Sequence, residues 1–135
     1  MNILIIDGQG GGIGKQLVSA IKAKFPADHI TAVGTNSTAT SAMLKAGAGD
    51  AATGENAVVV NCRTADIIIG PVGIAIADSL MGEITPAIAK AIGQSRAMRI
   101  LLPLNRCNTL IAGVNDLSTG HLIQCVLDEL AQIGS

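Results

Sequence analysis

A chain of 135 residues with nine Lys and Arg against ten Asp and Glu, net charge −1, fits one domain over residues 1–135 and gives no electrostatic reason for a nucleic-acid or membrane partner. One Phe, no Trp and no Tyr remove the stacking platforms that single-strand binders use. Charged residues are 14% of the chain and apolar ones 49%, too little polar surface to cover an isolated small sphere, which predicts a homo-oligomer.

Residues 2–6 are a short apolar run that reads as a strand, and glycines follow at once. From Ile13 the period changes: Leu17, Ile21 and Phe25 recur at the spacing of one helical face. Pro26 stops that helix, residues 29–33 form a second strand, and Gly34 ends it. Asn36 or Ser37 caps a helix reaching about Ala46, before Gly47. Residues 51–65 carry two signals. Thr53 can cap a short helix through Arg63, whereas Val58, Val59 and Val60 form a β-branched run that favours a strand; the helix is our expectation.

Residues 66–70, DIIIG, form an unbroken β-branched run bounded by a charge and Gly-Pro, the pattern of an inner strand covered on both faces. A helix is expected over about 73–81. Thr85-Pro86, a cap with proline at the first helical position, opens another to about Ser95. Residues 98–102 read as a strand closed by Pro103, and residues 109–114 as a last strand at the sheet edge. The final helix, capped by Ser118, carries Leu122, Ile123, Val126, Leu127, Leu130 and Ile133 on its apolar face.

Alternating strands and helices imply an α/β, three-layer Rossmann-like fold: a mostly parallel sheet with helices on both faces and ligands at the carboxyl ends of the strands. That edge gathers residues 7–14, 34–37, 70–73 and 102–105. The longest uncharged apolar stretch, residues 67–77, falls short of the roughly 20 residues of a membrane-spanning helix. The opening MNILIID lacks the marks of an export signal, so a cytoplasmic protein is expected. Cys62, Cys107 and Cys125 are odd in number and lack C-x-x-C spacing, which indicates neither a disulfide framework nor a metal site.

The stretch DGQGGGIG places five glycines between positions 8 and 14. Each ordered Gly costs about 0.5–1 kcal/mol relative to Ala, and a tight turn needs only one or two. Bare backbone amides at the start of a helix, aided by its dipole, suit a phosphate group. The nucleotide-binding candidates are therefore Gly8, Gln9, Gly10, Gly11, Gly12, Ile13, Gly14 and Lys15. Thr35 and Asn36 at the end of the second strand join them, with Gly70, Pro71 and Gly73 after the central strand and Asn105 and Arg106 after the next. Arg106 can pair with a phosphate or carboxylate.

Gly8, Gly12, Ile13 and Gly14 resemble the G-x-x-x-G-I-G nucleotide loop of the short-chain dehydrogenase/reductase family, which implies NAD or NADP or another nucleotide as ligand. That family's Tyr and Lys acid/base pair does not carry over, because the chain has no tyrosine. An acidic residue for the adenosine ribose is expected about 20 residues past the glycines, but the sequence there reads Gly34-Thr35-Asn36-Ser37, which favours a 2′-phosphate over a ribose diol. A Walker loop is a poor match, since Gln9 and Gln16 replace its first glycine and its Mg²⁺-binding hydroxyl. Taken end to end, DGQGGGIGK, GTN, ATGEN, ADIIIGP, GEITP and LPLNRCN resemble a bacterial family of small Rossmann-like proteins, a domain of unknown function.

Asp7 stands beside the expected phosphate, and a carboxylate about 4 Å from it would oppose it by roughly 4 kcal/mol at an effective dielectric of 20. Our reading is that Asp7 accepts amides of its own loop and holds it open. His29 and His121 read as surface or capping residues, Asp66 as structural, and Asp78 as a helical residue pairing across an oligomer interface. Glu55, Asn56 and Glu83 read as helix-end residues. Proton-exchanging groups are thus scarce at the predicted edge, which favours a nucleotide-binding module with a non-catalytic or sensing role. Two alternatives stand beside it: an NAD(P)-dependent oxidoreductase completed by a neighbouring subunit, and an assembly protein without ligand.

Overall fold

The computed structural model describes residues 1–104 and 107–134. Its centre is a five-stranded, all-parallel sheet in the order β3-β2-β1-β4-β5. The strands are β1 (Asn2–Asp7), β2 (His29–Gly34), β3 (Asp50–Thr53), β4 (Ile67–Pro71) and β5 (Met98–Leu102). The helices are α1 (Gly12–Lys24), α2 (Ser37–Lys45), α3 (Glu55–Asn61), α4 (Pro86–Gln94) and α5 (Thr119–Ile133), with a 3-10 turn at Val72–Ala75. This is an α/β Rossmann-like fold.

Alternation along the strands divides the core between the two sheet faces. Ile3, Ile5, Ile30, Ile67 and Ile69 point to one face, where Leu17, Val18 and Ile21 of α1, Met43 of α2 and Leu122, Val126 and Leu130 of α5 cover them. Leu4, Ile6, Val33 and Ile68 point to the other, against Val58 of α3 and Ile88 and Ile92 of α4. Every residue of β4 is buried, as its unbroken apolar run requires. The caps fall where the sequence places them. Asn36 accepts from Ala39 N, Thr85 from Ile88 N and Ser118 from His121 N.

Three expectations are corrected. Residues 50–53 are an edge strand, and Gly54, not Thr53, precedes α3; the strand Asp-Ala-Ala-Thr carries no large apolar residue and so leaves no periodic signal. The helix expected over 73–81 stops after the 3-10 turn. Asp78, Leu80 and Met81 then adopt left-handed backbone, with φ of 68°, 56° and 57°, so Asp78 is a turn residue and not a helical one. Leu80 and Ile84, which resemble a helical stripe in sequence, are buried from a loop instead. Residues 109–114 form no strand and the sheet ends at β5; Leu110 is 90% exposed there.

Candidate functional site

The order β3-β2-β1-β4-β5 reverses direction at β1, so the crevice at the carboxyl end of β1 is the switch point of the sheet. The glycine loop lies there. Asp7, the last residue of β1, is 2% exposed and anchors the loop from below. Its Oδ1 accepts Gly8 N at 2.8 Å and its Oδ2 accepts Gly14 N at 2.8 Å. Burial raises its pKa against the opposing pull of these two amides, and the charge of Glu83 adds to the rise. Asp7 therefore holds its own loop, as expected.

The five glycines serve different ends. A Cβ on Gly8 would lie 2.6 Å from Thr35 Oγ1, and one on Gly14 would lie 2.6 Å from Met43 Sδ and 2.9 Å from Asp7 Cβ. Gly11 has φ of +72° and sits with its missing Cβ 2.8 Å from Ala39 Cα. These three allow close packing of the loop on β2 and α2. Gly10 and Gly12 differ, because a Cβ on either would meet no atom within 4 Å. They face a cleft of about 350 Å³ bounded by Asp7, Gln16 and Leu104 and by Thr119 at the start of α5. Among the described residues the amides of Gly10, Gly12 and Ile13 have no hydrogen-bond partner, whereas Gly11 N donates to Gly8 O and Lys15 N to Gly11 O.

Glu83, read from the sequence as a helix-end residue, lies instead in the turn that precedes α4 and reaches the glycine loop. Its Oε1 accepts Gln9 N at 3.0 Å, Thr35 Oγ1 at 2.6 Å and Asn36 Nδ2 at 2.7 Å. Asn36 Nδ2 also donates to Gln9 O at 2.9 Å, which ties the glycine loop to the end of β2. Burial alone would raise the Glu83 pKa, but the bonds from Thr35, Gln9 and Asn36 outweigh it and hold the carboxyl below its ordinary value. A carboxylate thus lies at the end of β2, brought there from a segment 48 residues beyond Thr35. No local signal marks it.

The remaining candidates separate. Lys15 is exposed and borders a neighbouring groove between α1 and α2, with Ser37, Thr38 and Lys45. Gly70 is buried, and a Cβ on it would collide with the Ile6 carbonyl oxygen and lie 2.8 Å from Ile74 Cδ1, so it serves sheet packing. Pro71 and Gly73 are buried as well. Asn105 and Arg106 lie outside the described residues. Away from the cleft, His29 Nε2 is 2.8 Å from Asp50 Oδ2 at the opposite end of the sheet, and Asp66 accepts Asn2 N at 2.7 Å. Burial pushes the Cys62 thiol up to about 11. Among the described residues no group of three His, Cys, Asp or Glu side chains could hold a metal, and no helix is long and apolar enough to cross a membrane.

A family model described as a domain of unknown function, DUF3842, matches residues 2–135. The chain belongs to the DUF3842 family. No curated protein matches this DUF3842 chain. Among solved structures, it is similar to a dodecameric FMN-dependent UbiX-like decarboxylase from Escherichia coli O157:H7, at 14% identity and a TM-score of 0.46 over 97% of this chain and 95% of the decarboxylase. It is also similar to a nucleoside-diphosphate-sugar epimerase from Pseudomonas aeruginosa, at 17% identity and a TM-score of 0.46. That match covers 97% of the DUF3842 chain and 47% of the epimerase, so the chain spans about half the epimerase's length.

Proposed function

We propose that this protein is a nucleotide-binding module that holds a phosphate group of its ligand, NAD, NADP or another nucleotide, on the amides of Gly10, Gly12 and Ile13. One observation carries this reading: three unpartnered amides at the start of α1 border an open cleft of about 350 Å³. The positive end of the α1 dipole faces the same space, and α5 begins beside it at Thr119. The cleft lies within the size range of small-molecule sites. Asp7 does not oppose the anion outright, because both its oxygens are turned to the amides of Gly8 and Gly14.

The role is non-catalytic or sensing. Of the described residues lining the cleft, only Asp7 is titratable, and it is engaged within the loop. Glu83 beside the loop is held by Gln9, Thr35 and Asn36 at the end of β2, outside the lining of the cleft, and general acid–base work needs a group placed to exchange a proton at the reacting atoms. The protein acts in the cytoplasm as a homo-oligomer, in line with its small share of charge. Mass spectrometry of ligand carried through purification, followed by thermal shifts with NAD, NADP, ATP and coenzyme A, tests the reading. A nucleotide released on denaturation and a concentration-dependent rise in Tm are expected. No shift with any of them at millimolar concentration overturns it.

A further inference from the structure

We propose that Glu83 determines which nucleotide the site accepts: its carboxylate receives the ribose hydroxyls, so the protein takes nucleotides with a free 2′-hydroxyl and rejects those phosphorylated there. This rests on the phosphate-binding reading of the glycine loop and deepens it. Among the described residues the hydrogen bonds to Glu83 all fall on Oε1, from Gln9, Thr35 and Asn36. Among the described residues Oε2 receives none. An ionised carboxylate has lone pairs for about four donors, so the carboxylate held against Gln9, Thr35 and Asn36 retains accepting capacity on Oε2. A sugar diol has two O–H groups to give. A 2′-phosphate brings only acceptors and further negative charge, and it meets like charge.

The segment that delivers Glu83 is built for the purpose. Asp78, Leu80, Met81 and Gly82 all have positive φ, from 56° to 90°, a conformation that non-glycine residues adopt at a cost and that clusters at ligand clamps. The fold fixes both flanks of this turn. Leu80 is 2% and Ile84 0% exposed, Asp78 N donates to Ile84 O at 2.7 Å, and Ile84 N donates to Ser79 O at 3.1 Å. Two buried anchors thus bring the chain back over the glycine loop and leave Glu83 between them, bonded to Gln9, Thr35 and Asn36. The absence of an acid after β2, which by sequence favours a 2′-phosphate, is reversed by this arrangement.

Calorimetric titration of the full chain with NAD and NADP, and with 5′-AMP, 2′-deoxy-5′-AMP and adenosine 2′,5′-bisphosphate, tests the assignment. NAD and 5′-AMP are expected to bind at least tenfold more tightly than their 2′-phosphorylated counterparts, with the deoxynucleotide weakened severalfold. In Glu83→Gln the gap between free and phosphorylated 2′ positions collapses, mainly by tighter binding of the phosphorylated ligands. Equal affinity for both classes in the wild-type protein overturns the assignment while leaving the phosphate site standing, and this comparison needs no variant. A uniform gain for every nucleotide in Glu83→Gln also overturns it, because Glu83 then merely covers the Gln9 amide. If no nucleotide binds the wild-type chain, both readings fall.

Discussion

Gly10 and Gly12 differ from Gly8, Gly11 and Gly14 in what surrounds them, and the difference can be measured. A Val side chain at position 12 enters open space at the first turn of α1, so Gly12→Val is expected to leave Tm within about 2 °C of wild type, as for surface substitutions worth under ~0.5 kcal/mol. Nucleotide affinity should fall at least tenfold, by calorimetry. Gly70→Ala is the opposite case. Its methyl group would collide with the Ile6 carbonyl across the β1–β4 ladder, and overpacking of this sort costs about 1–3 kcal/mol in a denaturant titration. Replacing the buried acceptor in Asp7→Asn turns an NH₂ group against one of its two amide donors, for a loss of about 1–3 kcal/mol.

The two carboxylates beside the loop respond to pH with opposite signs. Glu83 has a folded-state pKa below its unfolded value, so its contribution is present above the unfolded value and lost as pH falls through the folded one. Asp7 has a raised folded-state pKa, and its ionised form weighs against the fold until falling pH protonates it. In thermal unfolding from neutral to acid pH, the Tm advantage of wild type over Glu83→Gln should shrink below the usual glutamate range. That of wild type over Asp7→Asn should grow through the aspartate range and above it.

At the level of elements, the sequence is legible wherever one segment buries one stripe. The isoleucines of β4, the Leu17 and Ile21 face of α1 and the Ser118 cap of α5 each follow from residues near one another in the chain. Strand β3 is not legible, because an edge strand of Ala51 and Ala52 is selected by pairing with Ala32 and Val33 and not by its own propensity. The turn carrying Glu83 is not legible either. Leu80 and Ile84 imitate helical spacing, and the partners of Glu83 lie 47 to 74 residues away. Met81, 96% exposed with φ of 57°, offers a clean probe of this turn. Met81→Val puts a β-branched residue where left-handed backbone already costs about 1–2 kcal/mol, and Tm should fall, whereas Met81→Gly should hold or raise it.

On the scale of the whole molecule, the glycine loop is legible as a place in the fold but not in its division of labour. Five glycines announce close approach; which of them meet Thr35, Met43 and Ala39, and which meet open space, depends on how α1 and α2 come together over the sheet. The surface carries the counterpart of the low charge content. Leu110 is 90% exposed, and Met98, in the edge strand β5, is 57% exposed. Sedimentation of the purified protein should give a mass of at least twice 13.6 kDa, and a monomer mass overturns the expected homo-oligomer.

The vacancy around Gly10 has a practical corollary. With Cys107 and Cys125 changed to serine, leaving only the buried Cys62, a thiol introduced by Gly10→Cys would be the sole solvent-facing thiol. A fluorophore attached to it would sit at the mouth of the cleft, where arrival of any occupant alters its emission. The loop's bareness thus turns the protein into its own optical gauge, able to rank chemicals that no activity assay would register.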